Sequence, residues 1–231
     1  MKKELYLEYL KIIRDFKGYL QKKMKKSKNF PPQLEENKAH LLKELYEKVK
    51  DCKNCPLHRT RTNLVFGEGS PEATLMFVGE APGKEEDLQG RPFVGAAGKL
   101  LRETIKNLGI SEKKIYIANI LKCRPPQNRD PKPEEIARCI PYLKKQIEII
   151  KPRIICTLGK FSTQNLLNTT KGITYLRGKK HTLPGGTLLI PTLHPAACIY
   201  KPYWKEKFLE DLDKVKEELD RLSESPANAF D

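Results

Sequence analysis

Four short apolar runs constrain what this chain can fold into more than any other feature. They are "TLMFVGE" (Thr74–Glu80), "KIYIANI" (Lys114–Ile120), "RIICTLG" (Arg153–Gly159) and "TLLIPTLHP" (Thr187–Pro195). Each is rich in β-branched residues and nearly continuous in apolar side chains, the pattern of a strand covered on both faces. They lie too far apart to pair as hairpins. Helical patterns fill the intervals at Ala96–Leu108, Pro133–Ile150 and Lys160–Leu167. Right-handed crossovers then predict an α/β fold, a parallel sheet sandwiched between helices. A last helix from about Trp204 to Leu222 closes it, and the polar tail Ser223–Asp231 is expected to fray.

Open parallel sheets bind ligands outside the carboxyl ends of their strands. The polar residues to read are therefore Gly79 and Glu80 after the first run, Asn119 at the end of the second, Gly159 after the third and His194 after the fourth. The stretch "FVGEAPG" (Phe77–Gly83) resembles a phosphate loop in its glycines, yet carries a carboxylate and a proline where such a loop needs backbone amides.

Ahead of the sheet, apolar residues at Tyr6, Tyr9, Leu10, Ile13, Phe16 and Leu20 recur at helical steps over Glu4–Lys26, opposite a basic face. "KSKNFPPQ" breaks that helix, and a second one over Leu34–Cys52 runs into the first cysteine. The expected organisation is a helical extension over residues 1–30, a domain over 31–222 and a tail over 223–231. The formal net charge of +15 attracts polyanions such as DNA, RNA or an acidic membrane, and also suits a lysine-rich solvated surface. No run of eighteen apolar residues occurs and the N-terminal helix is broken by charges, so a cytoplasmic, membrane-free protein is expected.

The chain has six cysteines. Cys52 and Cys55 form a C-x-x-C pair, Cys123 and Cys139 follow far downstream, and Cys156 and Cys198 sit singly among apolar residues. A C-x-x-C pair needs two further thiolates to complete a four-coordinate site, and zinc and a [4Fe–4S] cluster are both chemically allowed. A redox pair is the weaker third choice, because it does not open a helix after a strand.

Taken together, "VFGEGSPEATLMFVGEAPGKEEDLQGRPFVGAAGKLL", "NILKCRPPQNRDP", "CTLG" and "PTLHPAA" resemble the family 4 uracil-DNA glycosylases, the iron–sulfur branch of their superfamily. The resemblance runs from Cys52 to about Leu212. It implies a three-layer α/β/α sandwich with a four-stranded parallel sheet, and a [4Fe–4S] cluster held by Cys52, Cys55, Cys123 and Cys139. It also implies a DNA repair enzyme that flips uracil out of single- or double-stranded DNA and hydrolyses its N-glycosidic bond. The products are free uracil and an abasic site, as in base excision repair. No lysine is placed by motif to form a Schiff base, so the enzyme is expected to be a monofunctional hydrolase, working as a monomer.

The resemblance assigns base binding to Gly79, Glu80, Ala81, Phe93, Asn119 and His194. An amide at Asn119 suits uracil O4 and N3–H and mismatches cytosine at both positions. Phe93 is expected to stack on the flipped base, and His194 to donate to uracil O2 as charge develops there. Glu80 and Glu86 are the candidates for stabilising the sugar cation or positioning water, although Glu86 in "KEED" also reads as a solvated loop. The better-known branch of the superfamily activates water with an aspartate at the position of Ala81, which can do no such chemistry. DNA contacts are expected from Lys122, Arg124, Asn128 and Arg129, with Ile199 and Tyr200 as the wedge where relatives show an aliphatic residue and an arginine. Gln21 and Met24 match part of a sliding-clamp motif whose aromatic pair is missing. The alternative function is a catalytically silent iron–sulfur DNA-binding module associated with replication.

Overall fold

The computed structural model describes residues 37–224. The helix expected over Glu4–Lys26, the partial clamp motif and most of the tail lie outside the described residues. Within them the chain forms a six-stranded sheet in the order β1-β3-β2-β4-β6-β5. The four central strands, β2 (Leu75–Gly79), β3 (Ile115–Asn119), β4 (Ile154–Leu158) and β6 (Leu188–Thr192), are parallel to one another. These are the four apolar runs. The two edges, β1 (Glu68–Gly69) and β5 (His181–Thr182), are antiparallel additions. Two residues cannot show a period, so neither edge is visible as a pattern in the sequence.

Helix α1 (Lys38–Val49) precedes the sheet, and α2 (Lys84–Gln89) and α3 (Ala96–Asn107) join β2 to β3. Helix α4 (Pro133–Ile150) joins β3 to β4, and α5 (Lys160–Leu167) and α6 (Ile173–Leu176) follow β4. The one-turn α7 (Pro195–Cys198) leads into α8 (Pro202–Glu224). Because strand side chains alternate, Met76, Val78, Tyr116, Ala118 and Ile155 face α1 and α4, while Leu75, Phe77, Ile117, Ile154 and Cys156 face α3 and α8. The sheet is thus covered on both faces, which is why its strands read as unbroken apolar runs.

Connections from β2 lead to one side of the sheet and those from β4 to the other. Neighbouring strands whose connections diverge leave a crevice beyond their carboxyl ends. The chain is therefore open for a ligand where Gly79, Asn119, Gly159 and the segment after β6 meet.

Candidate active site

A cavity of about 430 Å³ occupies this crevice, lined among others by Glu80, Ala81, Phe93, Asn119, Arg129 and His194. The strand register sets Asn119 beside Gly79. Asn119 is only 2% exposed, and its Oδ1 is buried without a hydrogen-bond partner among the described residues. An orphaned amide oxygen costs about 1–3 kcal/mol unless something outside the chain satisfies it. Gly79 is what lets the groups converge: a Cβ there would collide with Asn119 Oδ1 and lie 2.6 Å from Phe93 Cζ.

Phe93 adopts a left-handed backbone with φ 52°, a conformation that costs a non-glycine residue about 1–2 kcal/mol. The surroundings hold it there. Arg102 donates to Phe93 O at 3.0 Å and to Pro92 O at 3.1 Å, and Gly98 leaves room for the Phe93 backbone on the first turn of α3. Glu86 closes the loop from the other side, accepting from the backbone N–H groups of Val94 and Gly95 at 2.8 Å each and of Gly83 at 3.1 Å. Glu86 is therefore neither a solvated loop residue nor a free base. Its carboxylate pins the two pocket loops together. The adjacent Asp87 is also buried and accepts from Thr62 N–H at 2.9 Å, tying α2 to the segment after the C-x-x-C pair.

His194 caps α7, its Nδ1 accepting from Ala196 N–H at 3.2 Å. With Nδ1 an acceptor, the neutral ring carries its proton on Nε2. Burial pushes the imidazole pKa down to about 4, partly opposed by the charge of Glu86, so the ring is neutral at physiological pH. Its centroid lies 6.0 Å from that of Phe93, the planes tilted by 34°. Gly159 permits this seat, since a Cβ there would lie 2.9 Å from His194 Cβ. Glu80 is half-buried at the mouth of the cavity. Burial and then the charge of Asp130 raise its carboxyl to about 7, against the opposing pull of Lys160.

The four cysteines of the expected ligand set line one small cavity of their own, with Arg61, Arg138 and Tyr142. Arg61 donates to Cys123 Sγ at 3.1 Å and Lys122 N–H donates to Cys139 Sγ at 3.3 Å, while Cys52 Sγ lies 3.3 Å from Tyr142 Oη. Burial raises the thiol pKa values of Cys123 and Cys139, the latter to about 12. Among the described residues, no group of three or more His, Cys, Asp or Glu side chains is arranged to hold a metal ion. Cys156 and Cys198 are buried elsewhere, in the core beneath α8.

The basic loop departs from expectation in two places. Lys122, expected to meet a phosphate, is 1% exposed, with its ammonium bonded to Asn119 O and Gln146 Oε1. Its aliphatic neighbours Ile120 and Leu121 carry it into the core. Arg129 forms a two-pronged pair with Glu135 at 2.6 and 2.9 Å, so its charge is balanced within the protein. That anchor was legible: Pro133 at the first position of α4 and Glu135 at the third form a capping pattern, and Glu135 also accepts from Lys132 N–H at 2.9 Å. Arg124 bonds Asn128 Oδ1 at 2.7 Å and pairs with no carboxylate among the described residues. Gln127 and Asn128 both have φ 55°, turning this loop toward the cavity that Asn128 and Arg129 line. Ile199 and Tyr200 project beyond α7, Tyr200 being 87% exposed. Sequence reasoning missed Arg102, Asp87 and Gln146, whose polar side chains sit in helical segments and carry no local signal of a tertiary partner.

A parallel sheet with an orphaned amide, an aromatic ring and a neutral imidazole at its carboxyl edge is the architecture of a base-binding α/β enzyme. Residues 66–219 match the family model described as Uracil DNA glycosylase superfamily, and the chain belongs to that superfamily. Within it the chain is similar to proteins named Type-4 uracil-DNA glycosylase. It is 48% identical to the one from Sulfurisphaera tokodaii over 184 residues, covering 76% of this chain and 84% of that protein. It is 43% identical to that of Archaeoglobus fulgidus over 185 residues, covering 76% and 92%. For Thermotoga maritima the identity is 44% over 182 residues, covering 78% and 95%.

Proposed function

We propose that this chain is a uracil-DNA glycosylase of the type-4 branch, a DNA repair hydrolase that releases uracil and leaves an abasic site. The observation that carries this reading is the buried, unpartnered amide oxygen of Asn119 at the cavity wall. Uracil N3–H satisfies it, and the amide N–H groups meet O4; cytosine presents the reverse pattern and leaves both ends unpaired. A base reaches that depth only after leaving the helix stack, and Phe93, held ready by its loop, offers the ring on which it stacks.

The bond between C1′ and N1 breaks with its electron pair leaving on uracil, where charge gathers at O2. His194 offers Nε2–H to that oxygen. A neutral donor fixed in place needs no reorganisation as charge develops, and such donors contribute about 3–4 kcal/mol. Water then adds to the sugar at C1′. With Ala81 inert and Glu86 occupied by three amides, Glu80 is the carboxylate left to accept the proton from that water. Its pKa of about 7 suits the role near neutral pH.

A [4Fe–4S] cluster held by Cys52, Cys55, Cys123 and Cys139 is supported by the chemistry of the donor set, four thiols, although no three of them converge on one point among the described residues. They line one cavity and three of them already have hydrogen-bond partners, as cluster-ligating sulfurs do. The cluster's contribution would be structural, supplying the iron charge that keeps these buried thiols ionised and the loop after β3 tied to α4. Arg124, Asn128, Ile199 and Tyr200 then meet DNA as phosphate contacts and wedge, and the enzyme works as a monomer.

Incubation with uracil-containing and matched thymine-containing oligonucleotides tests the activity, with Asn119→Ala and His194→Ala alongside. Fast uracil release by the unaltered protein, with both variants slowed but still measurable, is the expected result. Release from none would leave a silent DNA-binding module as the better account.

A further inference from the structure

Behind the base-reading amide lies a buried polar chain that no step of the excision uses. Lys122 Nζ donates to the main-chain oxygen of Asn119 at 2.9 Å and to Gln146 Oε1 at 2.7 Å. Gln146 is fully buried and is turned that way by its own amide nitrogen, which donates to Phe66 O at 3.0 Å and Tyr116 Oη at 3.2 Å. The Lys122 main chain is engaged as well, its N–H donating to Cys139 Sγ and its carbonyl accepting from Val65 N–H at 2.8 Å. Both acceptors of the ammonium are neutral, and Cys139, a ligand of the proposed cluster, is the charged neighbour that partly offsets its burial. A methionine would fill the same space but could not donate to the Asn119 carbonyl. The position of the lysine is what singles it out. It grips the one residue whose side chain must face the cavity with its oxygen unmet.

We propose that Lys122 is a positioning residue for base recognition, oriented by Gln146. By drawing the Asn119 carbonyl into the core it fixes the turn after β3, so that the side-chain amide stays aimed at the pocket instead of folding back to find a partner. This rests on Asn119 being the uracil reader.

The test is a double-mutant cycle on uracil release, measured at saturating and limiting DNA, with Lys122→Met, Gln146→Leu, Asn119→Ala and each pairing with Asn119→Ala. Misplacement of a substrate-orienting group by an ångström costs about 100-fold. Lys122→Met should lower kcat by roughly 10- to 100-fold with KM for DNA within about twofold, and Gln146→Leu should act in the same sense but less. In the Asn119→Ala background neither change should slow release further, because the group they position is gone. Effects that multiply in the double variants, or single variants with unaltered kcat, overturn the proposal. If Lys122→Met does not fold, Gln146→Leu carries the same cycle from the far end of the chain. An unaltered protein that releases no uracil overturns the underlying function instead, a result distinct from either.

Discussion

Two polar cavities of this molecule use their hydrogen bonds in opposite ways. In the strand-end cavity Asn119 Oδ1 has no partner among the described residues, and Gly79 withholds a side chain so that the amide and Phe93 can meet. In the thiol cavity, Cys52, Cys123 and Cys139 each already have a hydrogen-bond partner. On the proposed function, one cluster is completed by a base that arrives and leaves, and the other would be organised around a cofactor that stays. Substitutions should therefore separate activity from stability in the first and join them in the second.

The largest effect is expected in the thiol cavity. Cys123→Ser removes the acceptor of Arg61 and a ligand of the proposed cluster, in a loop that also carries Arg124 and Asn128. Stability should fall by about 3 kcal/mol, roughly 6–12 °C in Tm for a domain of this size, and DNA binding and iron content should fall with it. Thermal unfolding, iron analysis and binding to a uracil-containing duplex check this together. Intact binding by iron-free protein would break the joint behaviour on which the comparison depends.

His194→Ala is the contrasting case. Loss of a preorganised donor should lower kcat by about 100- to 1000-fold, while the fold loses the acceptor for Ala196 N–H, a cap contribution of about 1 kcal/mol, and the ring's contact with Phe93. Single-turnover uracil release and thermal unfolding separate the two. Because the imidazole titrates near 4, its protonation should leave no inflection in the rate above about pH 5.

Glu80 sharpens the comparison through pH. Its carboxyl titrates near 7, and a base must be ionised to accept a proton from water. The rate should rise with pH through about 7 and level off above it, and Glu80→Gln should remove that limb and cost about 100-fold on the plateau. Stability should move the other way. A carboxyl whose folded pKa lies above its unfolded value of 4.5 favours folding below that value, and the contribution is lost as pH rises through about 7. The unaltered protein should thus lose stability relative to Glu80→Gln over this interval. A rate profile with no limb near 7 would mean that Glu80 only shapes the pocket.

The same contrast explains what the sequence revealed. Strands buried on both faces must be apolar, so β2, β3, β4 and β6 were visible, and so were the residues at or just beyond their carboxyl ends, Gly79, Asn119 and His194. The edges β1 and β5 were not, because two paired residues have no period. The thiols were visible as spacing and came together as one cavity. What charge alone misreports is where a charged side chain ends up. Lys122 looked like a phosphate contact because it sits among basic residues, yet the apolar residues just before it carry it inward. Glu86 looked like part of a solvated run because its partners are backbone amides of residues eight and nine positions away, which no side-chain pattern announces.

The basic loop supplies the smallest and most discriminating effect. Lys122, Arg124 and Arg129 lie within eight residues of one another, and composition would give each the same share of DNA affinity. The structure does not. Of the three, only Arg124 lacks a carboxylate partner among the described residues; it is half-buried, its Nε donating to Asn128 Oδ1. Neutralising one phosphate contact changes the slope of log K against log salt by about one. Arg124→Ala should therefore reduce that slope by about one in a salt titration of duplex binding. Arg129→Ala should leave the slope unchanged and instead lower stability, modestly because Arg129 is 34% exposed although Glu135 behind it is buried. Equal slopes for the two variants would mean that DNA draws Arg129 away from Glu135, and that the capping pair at the start of α4 is exchanged for a phosphate on binding.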